Sequence, residues 1–321
     1  MKWMGMRTAR ALAISAMLHG DAAASGRVSV SGFVDIGVYR DAARMWQVGP
    51  IQRSYVALAG LETLGDDLQA TFRLSHRFES DTGAIEKNDK PLWHDTATVG
   101  LSGSFGSLQV GRRMDALYAN DWEFDPWHYY DRVASPAWSL WRHNVASDPK
   151  ANGGKPEWGR LNNGIFYDSP RLGPVSLHLS GSPESSAGDR AKAMMTALKY
   201  QDGRVIGLAA RGRNSAGDRA SFVGLKLVHP VFSVMGAYDV GTAGPSRSTA
   251  LTLGASHVAG HLTLRAGIGR AKTDGVTRQT MVAVGAGMRL SKRVSWYVDA
   301  ARKRYPDRSA GTYGIGMTQR F

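Results

Sequence analysis

The chain has no cysteine among its 321 residues. Disulfides, thiolate metal sites and cysteine nucleophiles are therefore excluded, and the composition suits an exported bacterial protein that does without disulfides. The chain also lacks any run of the roughly 20 apolar residues that a transmembrane helix needs. No segment sustains a helical hydrophobic period. Acidic charge is scarce: 40 Lys and Arg stand against 27 Asp and Glu, a net charge of +13. Such basicity usually points to nucleic acid, but here the basic residues are dispersed among Gly, Ser, Thr and aromatics instead of grouped on a helix. An anionic solute or anionic lipopolysaccharide fits as well, and nucleic acid is not an expected partner.

Lys2, Arg7 and Arg10 precede a short apolar run, Ala11 to Leu18, and Ala22, Ala23 and Ala24 offer small residues for cleavage before Ser25. This layout predicts a secretory signal peptide over residues 1–24 and a mature chain over 25–321. Removing Lys2, Arg7, Arg10 and Asp21 leaves the mature chain at net +11.

Alternation of apolar and polar side chains replaces helical periodicity almost throughout. It predicts five strands, Val28 to Arg40, Ile51 to Gly60, Asp67 to Glu79, Pro91 to Gly103 and Gly106 to Met114, then eleven more between Leu161 and Phe321. Thirty-eight glycines point to many turns and tightly curved strands. Gly65-Asp66, Ser104-Phe105, His229-Pro230, Ala259-Gly260 and Ser291-Lys292 read as tight turns that strictly alternate with longer polar loops. A mildly hydrophilic chain that crosses a bilayer with strands must close them into a ring, because no lipid can satisfy a free sheet edge. The expected fold is therefore all-β: a 16-stranded antiparallel transmembrane β-barrel with short periplasmic turns, long extracellular loops and an inward-folded third loop. Sandwiches and propellers do not require that alternation of turn lengths. Val223, Leu225, Leu227, Val282, Val284, Trp296 and Val298 would face lipid, while Lys226, Arg265, Arg289 and Asp299 would face a wet lumen. Tyr313, Ile315, Met317 and Phe321 would form the outer face of the last strand, with Gln319 interrupting it.

Several motifs carry a resemblance. Val99-Gly-Leu-Ser-Gly-Ser-Phe-Gly-Ser-Leu-Gln-Val-Gly-Arg112, Gly60-Leu-Glu-Thr-Leu-Gly65, Asp81-Thr-Gly83, Arg160-Leu-Asn-Asn-Gly-Ile-Phe-Tyr-Asp-Ser-Pro170, Leu290-Ser-Lys-Arg293 and the terminal Phe321 fall in the same order as in the general porins of β-proteobacteria. The chain resembles that Gram-negative general porin family over its mature length. The resemblance implies a homotrimer of water-filled channels in the outer membrane, in contact with its lipid and lipopolysaccharide, that pass small hydrophilic or anionic solutes by diffusion. It also implies that the loop over residues 115–159 narrows the pore and that the terminal strand, Tyr313, Ile315, Met317 and Phe321, serves as the assembly signal.

In such pores acidic loop residues face a basic wall, and rings of like charge select ions. Here the loop supplies Asp115, Asp121, Glu123 and Asp125, with four aromatics among them too costly to leave in water. Arg53, Arg73 and Arg77 are the expected wall, with Tyr55, Ser75, Phe166, Arg265 and Arg289 lining the lumen. Against the family pattern, Tyr55 and Phe166 stand where basic residues are common, and Arg73, Ser75 and Arg77 where polar, acidic and small ones are. The constriction has been rearranged, and the expected net effect is modest anion preference; a solute-specific channel for phosphate or organic anions is the alternative.

Nothing in the sequence predicts catalysis or a cofactor. The histidines include no close ligand pair with a carboxylate partner, Gly254-Ala-Ser-His-Val258 lacks the final glycine of a nucleophile elbow, and Gly153-Gly154-Lys155 runs into Pro156 instead of Ser or Thr. Ser256 and His257 point to opposite faces of their strand.

Overall fold

The structure is a computed structural model and describes residues 26–86, 90–141 and 159–321; the expected signal peptide lies outside the described residues. Its strands are β1 (Arg27–Arg40), β2 (Trp46–Gly49), β3 (Ser54–Thr63), β4 (Gln69–Phe78), β5 (Thr96–Gly103), β6 (Gly106–Met114), β7 (Arg160–Asp168), β8 (Val175–Gly181) and β9 (Met194–Gln201). They continue as β10 (Val205–Arg213), β11 (Arg219–Val228), β12 (Phe232–Ala243), β13 (Ser246–Ala259), β14 (Leu262–Thr273), β15 (Val276–Arg289), β16 (Val294–Arg304) and β17 (Ser309–Arg320). Pairing is antiparallel throughout, and β17 returns to β1 with Phe33 opposite Arg320 and Arg40 opposite Tyr313. The ring closes and no edge is left to pair with another chain.

The strands β2 and β3 both pair with β1, one against Gly37 to Arg40 and the other against Arg27 to Phe33. They are two pieces of one stave, so the seventeen described strands form a sixteen-stave barrel. The continuous strand expected from Ile51 to Gly60 is thus corrected to one that begins at Ser54. Its start is pulled out of the ladder by tertiary contacts: the Gln52 N–H donates to Asp35 Oδ1 at 2.8 Å, and the Ile51 carbonyl accepts from the Arg132 N–H at 3.0 Å. The turn pattern is corrected too. Gly244-Pro245 and Asp274-Gly275, on the rim expected to carry long loops, are two-residue connections, and Asp274 and Gly275 take positive φ values of 49° and 81°. Both central residues left-handed is the hairpin geometry that matches strand twist.

Face polarity follows the sequence. Val223, Val282 and Ile315 are 59%, 56% and 52% exposed on the outside, whereas Asp35, Asp239, Asp299 and Thr312 are buried within. The apolar core lies inside the barrel, between the inner faces of β9–β16 and the segment that follows β6. That segment contains a 3₁₀ turn, Asp121–Phe124, and a short helix α1, Pro136–Leu140, whose N-cap Ser135 accepts from the Trp138 N–H at 3.0 Å. Inward-facing glycines make its seat. A Cβ on Gly224 would stand 2.6 Å from the Phe124 ring, one on Gly254 2.4 Å from Pro126, and one on Gly269 2.6 Å from Leu140. Some of the glycine content read as turns therefore serves close approach of backbone and loop.

Candidate functional site: the lumen and its constriction

The inserted loop spends three of its carboxylates, Asp115, Asp125 and Asp131, on its own folding. Irregular backbone inside a barrel meets little water, so its N–H groups need internal acceptors. Asp125 supplies four bonds: Oδ2 accepts from the Trp127 N–H at 3.0 Å, the Tyr129 N–H at 3.1 Å and Ser135 Oγ at 3.0 Å, and Oδ1 from the Ala137 N–H at 3.2 Å. Burial raises its carboxyl above the usual range, and those bonds oppose the rise. Asp131 accepts from the Val133 and Ala134 N–H groups at 2.8 and 2.6 Å, and Asp115 from the Tyr118 N–H at 2.8 Å. Asp121 is fully buried. Glu123 turns to the far wall: its oxygens lie 3.3 Å from Lys226 Nζ and 3.8 Å from Lys199 Nζ. The expectation that Asp115 and Asp125 face the arginines across the pore is corrected for that reason, whereas Asp121 lines a small cavity of about 80 Å³ together with Arg53 and Arg77.

The arginines are also redistributed. Arg77 Nε stands 2.7 Å from Asp95 Oδ1, which Arg160 reaches at 2.5 Å. Glu86 lies 3.6 Å from Arg53 and 3.7 Å from Arg77. Arg132 pairs with Glu79 at 3.4 Å, and the Arg53 guanidinium sits 4.8 Å above the Trp138 ring. Burial alone would raise the Glu86 carboxyl, but the His94 ring, 3.8 Å away, and the Arg53 and Arg77 charges hold it well below the usual range. Asp95 is held low in the same way by Arg77 and Arg160, with a hydrogen bond from Ser75. Four guanidinium groups and three carboxylates thus nearly cancel within a buried network. Arg53 and Arg77 belong to it and are not an open basic wall, and Ser75 is turned to Asp95. Glu86 lies outside every expected strand; Glu79 and Asp95 fall within the expected strands Asp67 to Glu79 and Pro91 to Gly103, but β4 ends at Phe78 and β5 begins at Thr96, so their ion pairs are set by tertiary contacts and not by strand parity.

Arg73 alone of the expected trio remains half-buried toward the lumen, with Tyr55 near it and stacked on Phe33 at a centroid distance of 6.5 Å. Across the barrel, register puts Lys199, Lys226, Arg265 and Arg289 on inner faces, opposite Leu208, Met235, Gly285 and Ser295 respectively. Arg320 lies on the inner face opposite Phe33 at the turn rim. Phe166 points inward but is 2% exposed, covered by the Arg113 guanidinium at 5.6 Å. Arg113 pairs with Asp168 at 2.7 Å, and Asp168 with His178 at 2.7 Å. Strand parity could have found those three, since they alternate correctly on β6, β7 and β8.

At the seam, Phe321 and Gly32 exchange backbone hydrogen bonds at 3.1 and 3.0 Å. The Phe321 ring covers Gly32, where a Cβ would come within 2.1 Å of it. Tyr313, Ile315 and Met317 are exposed on the outer face. Among the described residues no group of three or more His, Asp or Glu is arranged to hold a metal ion.

No curated protein matches the sequence, but solved structures match the fold. An anion-selective porin from Comamonas acidovorans aligns with a TM-score of 0.78 at 19% identity, covering 92% of this chain and 100% of that one. The trimer form of OmpT, an outer membrane protein of Vibrio cholerae, aligns at 0.70 with 12% identity over 92% and 99%. Salmonella typhi OmpF in complex with daunomycin aligns at 0.71 with 12% identity over 92% and 98%. The sequence model for Gram-negative porins matches residues 9–308. With a closed barrel, a polar lumen and an inserted loop in place, the chain belongs to the Gram-negative porin family and is an outer-membrane channel.

Proposed function

We propose that this porin is a general diffusion channel with modest anion preference, assembled as a homotrimer. The observation that carries the reading is the surplus of positive charge left facing the lumen. Arg73, Lys199, Lys226, Arg265, Arg289 and Arg320 occupy inner faces on both sides of the barrel, and Glu123 is the loop carboxylate that answers them. The loop's other acids are buried, so they add little to the field that a permeant ion meets. The Comamonas acidovorans protein is described as anion-selective, and its likeness here is one of fold. A trimer accords with the OmpT trimer form among the similar folds.

Reversal potential in a planar bilayer under a KCl gradient tests the sign. Chloride is expected to permeate more readily than potassium, and a cation-selective reversal potential would overturn the proposal. Conductance that rises in proportion to salt supports general diffusion; saturation at millimolar phosphate would instead favour the solute-specific alternative.

A further inference from the structure

A serine, a histidine and an aspartate form one hydrogen-bonded row on the inner wall, where β7 ends and β8 begins at the turn rim. Ser176 and His178 are two positions apart on β8, so their side chains share a face. His178 stands opposite Asp168 on β7 and opposite the fully buried Ala197 on β9. One step further along the same rows Ser180 stands opposite Phe166, both buried inside the barrel. Leu179 and Leu198, at the intervening positions, are exposed on the outer face. All three polar side chains therefore point to the lumen.

The row has the order that an activated nucleophile requires: hydroxyl, base, and a third group that orients the base. His178 Nε2 lies 3.0 Å from Ser176 Oγ, and His178 Nδ1 lies 2.7 Å from Asp168 Oδ1. A carboxylate only accepts, so Nδ1 carries the ring proton and Nε2 is left to accept from the seryl hydroxyl. The chain order Asp168, Ser176, His178 is immaterial, because such triads are defined by geometry and roles. Asp168 Oδ2 accepts from Arg113 Nη2 at 2.7 Å, and Arg113 Nη1 donates to Gln109 Oε1 at 3.0 Å. Each oxygen of Asp168 thus has its own donor, which fixes the carboxylate and, through it, the imidazole. The histidine and aspartate side chains are 14% and 27% exposed, so lumen water and a small solute reach them. Lys199 stands directly opposite Ser176 on β9, with the two backbones about 5 Å apart. Its charge adjoins the place where an oxyanion on the attacked carbonyl would form.

We propose that Ser176, His178 and Asp168 hydrolyse short-chain carboxylic esters of small hydrophilic solutes at the turn-side mouth of the pore. Ser176 Oγ bonds to the ester carbonyl carbon while its proton passes to His178 Nε2, which gives a tetrahedral oxyanion. The carbon–oxygen bond to the alcohol then breaks, and the alcohol leaves with that proton. Lumen water adds to the acyl-serine and gives a proton to Nε2; the acid departs as the proton returns to Ser176 Oγ. No oxidant or reductant takes part. Ser176 and His178 are the catalytic residues, and Asp168 is a positioning residue that acts through the imidazole. Because the row faces the lumen, its substrates are solutes in water and not the acyl chains of the surrounding bilayer. The activity is additional to diffusion through the channel and is independent of its ion preference.

The test uses the whole protein refolded from denaturant, which removes cellular esterases. Hydrolysis of p-nitrophenyl acetate and covalent labelling by a fluorophosphonate probe are read on wild type, S176A, H178A and D168N. Wild type is expected to turn over the ester and to carry the probe on Ser176, located by peptide mass spectrometry. S176A should lose the label and fall to the rate of a heat-unfolded control. H178A should slow turnover about 100-fold. D168N should lower kcat and leave KM in place, the mark of a group that orients the base without touching substrate. Planar-bilayer conductance and reversal potential of S176A should match wild type, so the channel is scored separately from the hydrolase. Equal turnover by wild type and S176A, or the absence of a probe adduct on Ser176, would overturn the proposal; an unchanged kcat in D168N would overturn the role of Asp168. Should S176A fail to fold, the site of the adduct on wild type decides by itself.

Discussion

The Trp127 indole N–H donates to Asp299 Oδ1 at 2.6 Å, joining the inserted loop to β16 across 172 positions of sequence. A second indole, that of Trp141, donates to Thr252 Oγ1 on β13 at 3.1 Å. Together they pin both described ends of the loop's packed half to one wall. Trp127→Phe keeps an aromatic ring, smaller than the indole, and leaves Asp299 a buried acceptor without its donor. A loss of about 1–3 kcal/mol of stability is expected, seen as a lower thermal midpoint, together with noisier single-channel current as the loop loosens. A variant with wild-type midpoint and quiet current would show that the bond does not hold the loop.

The glycine seat makes an independent prediction. Gly254→Val places side-chain atoms where Pro126 now sits, 2.4 Å from the Cβ position. Overpacking of this kind costs about 1–3 kcal/mol, and the cheapest relief is to lift the loop off the wall. Conductance should rise while the barrel still folds, judged by heat-modifiable mobility. Unchanged conductance in a folded variant would argue that the loop adjusts without undocking.

Arg73 and Arg77 share the inner face of β4 yet should behave differently. Arg73→Gln removes a lumen charge and is expected to shift the reversal potential toward cations with little effect on stability. Arg77→Met strips Asp95 and Glu86 of a buried partner, a change that costs about 3–5 kcal/mol, with a smaller effect on selectivity. The two readouts exchanging places would mean that Arg77, and not Arg73, meets the permeant ion.

Acid should expose the same network. Because Glu86 and Asp95 are held below the usual carboxylate range, the stability they contribute is complete above the unfolded carboxylate pKa of about 4 and is lost as pH falls below it. Glu86→Gln removes its share at every pH. The thermal midpoints of wild type and Glu86→Gln should therefore lie furthest apart near neutrality and converge below pH 4; a gap that stays constant down to pH 2 would contradict the assignment.

Removing Phe321 deletes a ring that covers Gly32 and two backbone hydrogen bonds at the seam. Folded yield in the outer membrane is expected to fall several-fold relative to wild type, measured by heat-modifiable mobility of membrane fractions. Equal yield would assign the closing role to Tyr313, Ile315 and Met317 alone.

What the sequence determined by itself was set by local period. Strand side chains alternate faces whatever surrounds them, so Val223, Val282 and Ile315 could be placed outward and Lys226, Arg265 and Asp299 inward from their spacing, and sixteen staves counted. The same rule located Arg73. Local period did not decide the strand starts near Ile51 and Asp95, the two-residue turns at Gly244 and Asp274, or the ion-pair role of Glu86, because these depend on contacts that spacing does not encode. The loop is the clearest case. Its acidic, aromatic composition pointed inward, but which carboxylates meet the pore depends on which backbone N–H groups lack water, and only the folded barrel decides that. Asp125 and Asp131 went to the loop's own backbone, Glu123 to two lysines on the far wall, and the lumen kept its positive charge.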